Sequence, residues 1–340
     1  MAASSGAESL PSFALRPSQW QVEVSTHIGG RPRQEDRFDT KTSIPVGESD
    51  TEAAFFGVWD GTVCPHASNY VHTRCRDHHL QTPGFSTYTQ MVGGGEAQLQ
   101  ELARPLAAAV SEGYAATDGD LLESCRQISN HYSSSTSVTC LVASGILSVG
   151  HLGDSRCYLI VKGQGGGGAG LRGVRLTEDH KPDDAEERRR IETSGGSIQI
   201  LHHHNNKPFI RGGDFDRRKA TGERVMQLQY SRAFGGKDLK PFGLSASPSV
   251  RQVAIAQDHI GFVLCSDGVC DVAEADDVAA VVGSAWARGE DASAVLVNWA
   301  MQERQRVGIG ADNVTAVVVK FEPVARQSGA KSSGSGKGRF

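Results

Sequence analysis

Apolar residues along this chain gather into short runs, most of them bounded by Gly, Asp or Ser. Such runs stand at WQVEVSTHI, AAFFGVWD, TSVTCLVA, GILSVGHLGD, RCYLIVK, VRQVAIA, GFVLCSD and NVTAVVVKF, and their length and β-branched content predict strands. Within TSVTCLVASGILSVGHLGDSRCYLIV the connections ASG and GDS have hairpin composition, which predicts a meander of neighbouring strands. Helical spacing falls between the strand clusters, from Pro65 to about His79, Glu96 to about Thr117, Asp183 to Thr193 and Ser293 to about Gln305, with Pro65 suited to a helix start. Clustered strands with helices between the clusters predict an α+β protein, its helices packed outside antiparallel sheets.

Composition narrows the class. The 340 residues are 38% hydrophobic and 22% charged with a formal net charge of -4, the balance of an ordinary globular protein and not of a nucleic-acid binder working through a basic face. The opening MAASSGAESLPS lacks the apolar core of a signal peptide, and no run reaches membrane-spanning length. Seven scattered cysteines, an odd number without paired spacing, predict reduced thiols and a cytoplasmic or nuclear location. The glycine run in KGQGGGGAGLRG (162–173) lacks the strand-to-helix context of a phosphate loop and reads as a hairpin tip or surface insertion. Three adjacent histidines, His202, His203 and His204, do not converge as a preformed metal site and read as a solvated loop.

The chemistry begins where apolar runs end. AAFFGVWDG stops on Asp60-Gly61 and GFVLCSDG on Asp267-Gly268; Glu35-Asp36 in RPRQEDRFD, Asp154 in HLGDSRCY and Asp312 in GADNVTAVVV also stand at strand boundaries. Taken one at a time these are turn residues. Taken together they are carboxylates able to project from the rim of a sheet toward one point, where they repel unless a cation holds them. Oxygen ligands without Cys or His at ligand spacing select magnesium or manganese over zinc.

In order and spacing, GGRPRQEDRF, FFGVWDG, SSSTSV, VGHLGDSRCYL, LTEDHKPDDAEERRRIETSGG, SRAFGG, FVLCSDGVCDV and ADNVTAVVV resemble the metal-dependent protein phosphatases of the type 2C serine/threonine class, across roughly residues 20 to 322. The resemblance implies two antiparallel sheets stacked face to face as a β-sandwich, flanked by α-helices on both outer faces. It implies a single domain over 20–322, with a flexible segment at 1–19, a flap around 197–223 and a disordered basic Ser/Gly-rich tail at 323–340. Carried over by position, the metal residues are Asp36, Asp60, the Gly61 carbonyl, Asp267 and Asp312, with Glu35 acting through bound water and Asp154 at a weaker third metal. Arg31 matches the phosphate-binding arginine. Two Mg2+ or Mn2+ ions about 4 Å apart would then activate a water for in-line attack on phosphorus, with a phosphoprotein as substrate and the chain acting as a monomer.

One departure bears on catalysis. The family continues Asp-Gly with His, the group that protonates the leaving oxygen, whereas here Thr62 follows Gly61. A threonine hydroxyl is too weak an acid for that role, and general acid catalysis is typically worth 10²- to 10⁴-fold. His66 stands four residues on as a substitute acid, against the simpler reading of a packing or surface histidine. A second departure is Gly236, where the family commonly has Asp. Two functions therefore compete: an active phosphatase, and a catalytically weak phosphatase-like module that binds phosphoproteins or partners and regulates. A small-molecule phosphoesterase on the same site is a third. Specificity is expected from the flap or from insertions such as 84–97.

Overall fold

The strands written as unbroken apolar runs are those covered on both faces. In the computed structural model, which describes residues 19–94, 97–163, 170–202 and 206–322, Glu52–Trp59 is buried from Ala53 to Trp59, as are Ser137–Ala143 and Ile146–Leu152 throughout. Period-two alternation sends Phe56, Val58 and Val138 to one side and Phe55, Trp59 and Leu141 to the other, and both sides are dry.

Two five-stranded sheets result. One runs in the order Gln19–His27, Val314–Glu322, His259–Cys265, Arg156–Lys162, Leu171–Arg175; the other runs Ser249–Ala254, Ile146–Leu152, Ser137–Ala143, Glu52–Trp59, Arg37–Pro45. All their pairings are antiparallel. Phe56, Val138, Val149, Leu159, Phe262 and Val317 interlock between the sheets. His66–Leu80, Pro83–Gly93 and Leu99–Gln127 cover one outer face, and Ala275–Arg288 with Ala292–Val307 cover the other. The architecture is the α+β sandwich expected, with helices outside two antiparallel sheets.

Several elements differ from the sequence reading. ASG is a hairpin, with Ser144 and Gly145 both at positive φ (50° and 76°), as a tight turn between twisted strands requires. GDS is not: the chain crosses there from one sheet to the other, since Ile146–Leu152 and Arg156–Lys162 lie in different sheets. The long helix runs on to Gln127, through the turn-like TDGD, because Asp118 is drawn into tertiary bonds, accepting from the Gly235 amide at 2.8 Å and pairing with Lys240 at 2.8 Å. Pro83–Gly93, which takes in most of the 84–97 insertion, forms a helix capped by Thr82 accepting from Phe85 N; it packs on Leu99–Gln127, and none of its residues lines the cleft described below. The edge strand Arg37–Pro45 was hidden by its polar residues. The strands flanking the glycine run pair as a hairpin, Lys162 opposite Leu171. Residues 164–169, His203, His204, Glu96 and the segments 1–18 and 323–340 lie outside the described residues.

Candidate active site

Strand register collects the carboxylates. Arg37 pairs with Trp59, which brings Asp36, one residue before, beside Asp60, one residue after. Cys265 pairs with Ala316 on one side and Arg156 on the other, so Asp267, Asp312 and Asp154 emerge at the same rim. Each Asp-Gly pair has a steric reason. A Cβ on Gly61 would stand 2.6 Å from Ser68 Oγ and 2.8 Å from the Glu35 carbonyl oxygen, and one on Gly268 would collide with the Asn313 carbonyl; only glycine lets these backbones pass.

The electrostatics are those of crowded anions. Asp36, Asp154 and Asp267 are 3%, 4% and 6% exposed. The Asp60 carboxyl is held well above the usual carboxylate range by burial and then by Asp267, Asp36, Asp312 and Asp154. Burial and neighbouring carboxylates likewise raise Asp267. Burial lifts Asp36 to about 6, against the hydrogen bonds it accepts, one of them from Ser266 Oγ at 2.8 Å. Burial also raises Asp312, although Arg31 and Arg304 pull it down, and raises Glu35 against Arg31, Arg33 and Arg37.

Asp36 Oδ1, Asp154 Oδ1 and Asp267 Oδ1 are buried without any hydrogen-bond partner. Buried acceptors are ordinarily paired, and a cluster of orphaned hard oxygens fits hard divalent cations. Cations of the chain itself carry part of the charge: Arg31 Nη2 is 2.9 Å from Asp312 Oδ1, and Lys181 Nζ is 2.6 Å from Asp154 Oδ2. Among the described residues no three Asp, Glu, His or Cys side chains are gathered as they stand to hold an ion.

Above the carboxylates lies a cleft of roughly 430 Å³, lined on one side by Arg31, Arg33 and Glu35 and floored by Asp60, Gly61, Thr62, Asp267 and Asp312. The far wall is Phe209 with Gln227–Tyr230. These come from the 197–223 region and just beyond it, where Gly196–Leu201 and Lys207–Gly212 form a hairpin that pairs onward to Gln227–Leu228. His202 bonds Asn206 Oδ1 at 2.7 Å and not a cluster of ligands. His66 is absent from the cleft lining: its Nε2 lies 3.5 Å from Ser124 Oγ and its ring tilts against Tyr70. Gly236 also lies outside the lining, against Leu244.

Four side chains matter here that patterning passed over. Asn313 accepts from Glu35 N at 2.8 Å and donates to Ile28 and Arg33 carbonyls at 3.0 Å each, pinning the loop that carries Arg31. Arg304, 6% exposed, reaches from Ala292–Val307 to the Asp267 and Gly268 carbonyls and stands 3.6 Å from Asp312 Oδ2. Lys181 neutralises Asp154, and Tyr230 donates to Thr62 Oγ1 at 2.7 Å. Asn313 and Lys181 stand in the quoted motifs ADN and EDHKP; nothing local marks Arg304 or Tyr230.

Two stacked antiparallel sheets with a carboxylate cluster and an arginine at one end define a metal-dependent phosphatase scaffold. The chain belongs to the protein phosphatase 2C family, whose model, Protein phosphatase 2C, matches residues 22–306. Its members are serine/threonine protein phosphatases. The chain is 31% identical over 311 residues to a rice (Oryza sativa subsp. japonica) protein named Probable protein phosphatase 2C member 13, mitochondrial, covering 91% of this chain and 70% of that one. It is 28% identical to the rice Probable protein phosphatase 2C 52, of whose length it spans half (50%). Among solved structures, serine-threonine phosphatase 2C from Toxoplasma gondii superposes with a TM-score of 0.83 at 41% identity, over 92% of this chain and 98% of that one.

Proposed function

We propose that this chain hydrolyses phosphoserine and phosphothreonine in phosphoprotein substrates. In this reading Asp36, Asp60, the Gly61 carbonyl, Asp267 and Asp312 hold two Mg2+ or Mn2+ ions, Glu35 contributes through bound water, and Asp154 serves a weaker third. The observation that carries it is the set of buried, unpartnered carboxylate oxygens on Asp36, Asp154 and Asp267, together with the mutual repulsion that raises Asp60 and Asp267. When bound, such ions supply a nucleophilic water at neutral pH and neutralise phosphoryl oxygens.

The chain's own groups do the rest. Arg31, half exposed at the cleft rim, offers a planar guanidinium able to take two phosphate oxygens. Asn313 holds its loop in place, and Arg304 buttresses Asp312 and the Asp267 backbone from behind. The Phe209 and Gln227–Tyr230 wall faces the Arg31 loop across the cleft, so a peptide segment is bound between the two. The chain is read as a monomer in a reducing compartment, cytoplasm or nucleus; all seven cysteines are free thiols, and no helix among the described residues is long and apolar enough to cross a membrane.

The test is the initial rate on a phosphothreonine peptide with Mn2+ or Mg2+ and with chelator. Metal-dependent turnover that falls by about 100-fold or more in Asp60→Asn, in line with loss of an electrostatic catalytic group, is the expected result. The competing regulatory module is favoured by one observation: among the described residues lining the cleft there is no histidine. Metal binding without peptide turnover, and turnover gained by Thr62→His, would establish that module instead.

A further inference from the structure

Thr62 is more constrained than a surface threonine. Gly61–Thr62 pairs as a short strand with Ser134–Ser135, Thr62 opposite Ser134, which fixes where its side chain stands in the cleft. The Tyr230 hydroxyl donates to Thr62 Oγ1 at 2.7 Å, and the Tyr230 oxygen lies 3.2 Å from Ser134 Oγ. A phenol has one proton, so a Tyr230 that donates to Thr62 accepts from Ser134. Thr62 also has one proton, and its oxygen is already occupied as an acceptor. That proton is left to point elsewhere, and Thr62 lines the cleft beside Asp60. Tyr230 is 3% exposed and packed with Ile210, Leu228 and Leu244, so the donor is held firmly.

We propose that Tyr230 is a positioning residue that turns the Thr62 hydroxyl proton into the cleft, where Thr62 donates a hydrogen bond to the oxygen of the departing serine or threonine. The inference rests on the reading of the chain as an active phosphatase. As the ester P–O bond breaks, its electron pair passes to the leaving oxygen, and the Ser134, Tyr230, Thr62 chain of hydroxyls, each polarising the next, faces the charge that develops there. No side chain gives up its proton; the alkoxide takes one from solvent water. The arrangement replaces an acid by an aligned donor, and it matters only for leaving groups that need help.

The experiment uses the full chain with Mn2+ and measures kcat and KM on a phosphothreonine peptide and on p-nitrophenyl phosphate for wild type, Tyr230→Phe, Thr62→Val, the double variant and Thr62→Ser. Tyr230→Phe keeps the ring in its apolar cluster. The expected result is a fall of about 10-fold or more in the peptide-to-aryl ratio of kcat for Tyr230→Phe and for Thr62→Val, carried by kcat and not KM, since a good hydrogen-bond donor to developing charge is worth up to 10²–10³. The double variant should be no worse than Thr62→Val, Thr62→Ser should keep the wild-type ratio, and Mn2+ affinity by calorimetry should stay within about twofold across the set, far less than the tenfold that 1.4 kcal/mol represents. Equal losses on both substrates, additive losses in the double variant, or an unchanged ratio in Tyr230→Phe would overturn this inference alone. A wild type that binds Mn2+ yet turns over neither substrate would overturn the phosphatase reading and this inference with it.

Discussion

Replacing Asn313 by alanine removes the clamp on the loop that carries Arg31, the arginine proposed to bind phosphate. The side chain is 5% exposed and makes three bonds: Glu35 N to Oδ1 at 2.8 Å, and Nδ2 to the Ile28 and Arg33 carbonyls at 3.0 Å each. A net 0.5–1.5 kcal/mol for each such bond gives about 3 kcal/mol in all. Part of that is recovered because Ile28 and Arg33 are exposed and their freed carbonyls can reach water, which leaves about 2 kcal/mol. For a domain of about 300 residues that corresponds to a fall in Tm of roughly 3 °C, read by differential scanning calorimetry. Where the loop must be re-ordered to receive phosphate, the same 2 kcal/mol appears as a rise in KM of about 30-fold with a smaller change in kcat. Asn313→Asp should be worse for binding, because it loses the two donated bonds and adds a charge next to Asp312. A Tm within 1 °C of wild type, together with an unchanged KM for Asn313→Ala, would show that the loop holds itself and would refute the clamp.

Two further predictions concern groups away from the cleft. His79 is buried between the rings of Phe55 and Tyr114, and burial lowers its pKa from 6.5 to about 4. Between those values the unfolded chain binds a proton that the folded chain refuses, so stability must fall as pH drops from 6.5 to 4, by about 3 kcal/mol in total from this residue; urea melts of wild type and His79→Gln should show that part of the slope lost in the variant. Glu187, with its side chain only 5% exposed, pairs with Arg190 and Arg232 at 2.7 Å each and accepts from Ser231, anchoring the chain just after Tyr230. Glu187→Gln leaves two guanidinium groups short of their anion and should cost about 3 kcal/mol in chemical denaturation; a change under 1 kcal/mol would mean that solvent already screens the group.

What the sequence made legible was what repeats or what ends abruptly. The runs AAFFGVW and GFVLC announce strands because both of their faces are buried, and the carboxylates that stop them announce the rim because a charge cannot continue into such a core. The order of motifs then identified the scaffold. Arg37–Pro45 was missed because an edge strand may be polar, and the end of the long helix was misplaced because Asp118 is paid attention by Gly235 and Lys240, more than a hundred residues away. GDS looked like ASG, yet one connection reverses within a sheet and the other steps between sheets. His66 and Tyr230 are the sharper pair. Proximity along the chain raised His66 as a candidate acid, and it faces Ser124 as the simpler packing reading had it; Tyr230, 168 positions from Thr62, reaches it through the fold, and only the three-dimensional packing of the cluster with Ile210, Leu228 and Leu244 shows it.

The last strand of the domain has a bearing on how the protein is made. Val314–Glu322 lies between Gln19–His27 and His259–Cys265 in its sheet, so the N-terminal strand has no neighbour until the far end of the domain has been synthesised. At about 5–20 residues per second a ribosome takes on the order of 15–60 s to cover that interval. During it one sheet stays open along its length, with Val22 and Val24 unsheltered and Asp312 not yet present beside Asp267. A chain released early therefore carries Asp36, Asp60, Asp154 and Asp267 but lacks Asp312 and the strand that joins its N-terminal strand to the rest of the sheet, so its carboxylate rim is incomplete until the last segment is in place.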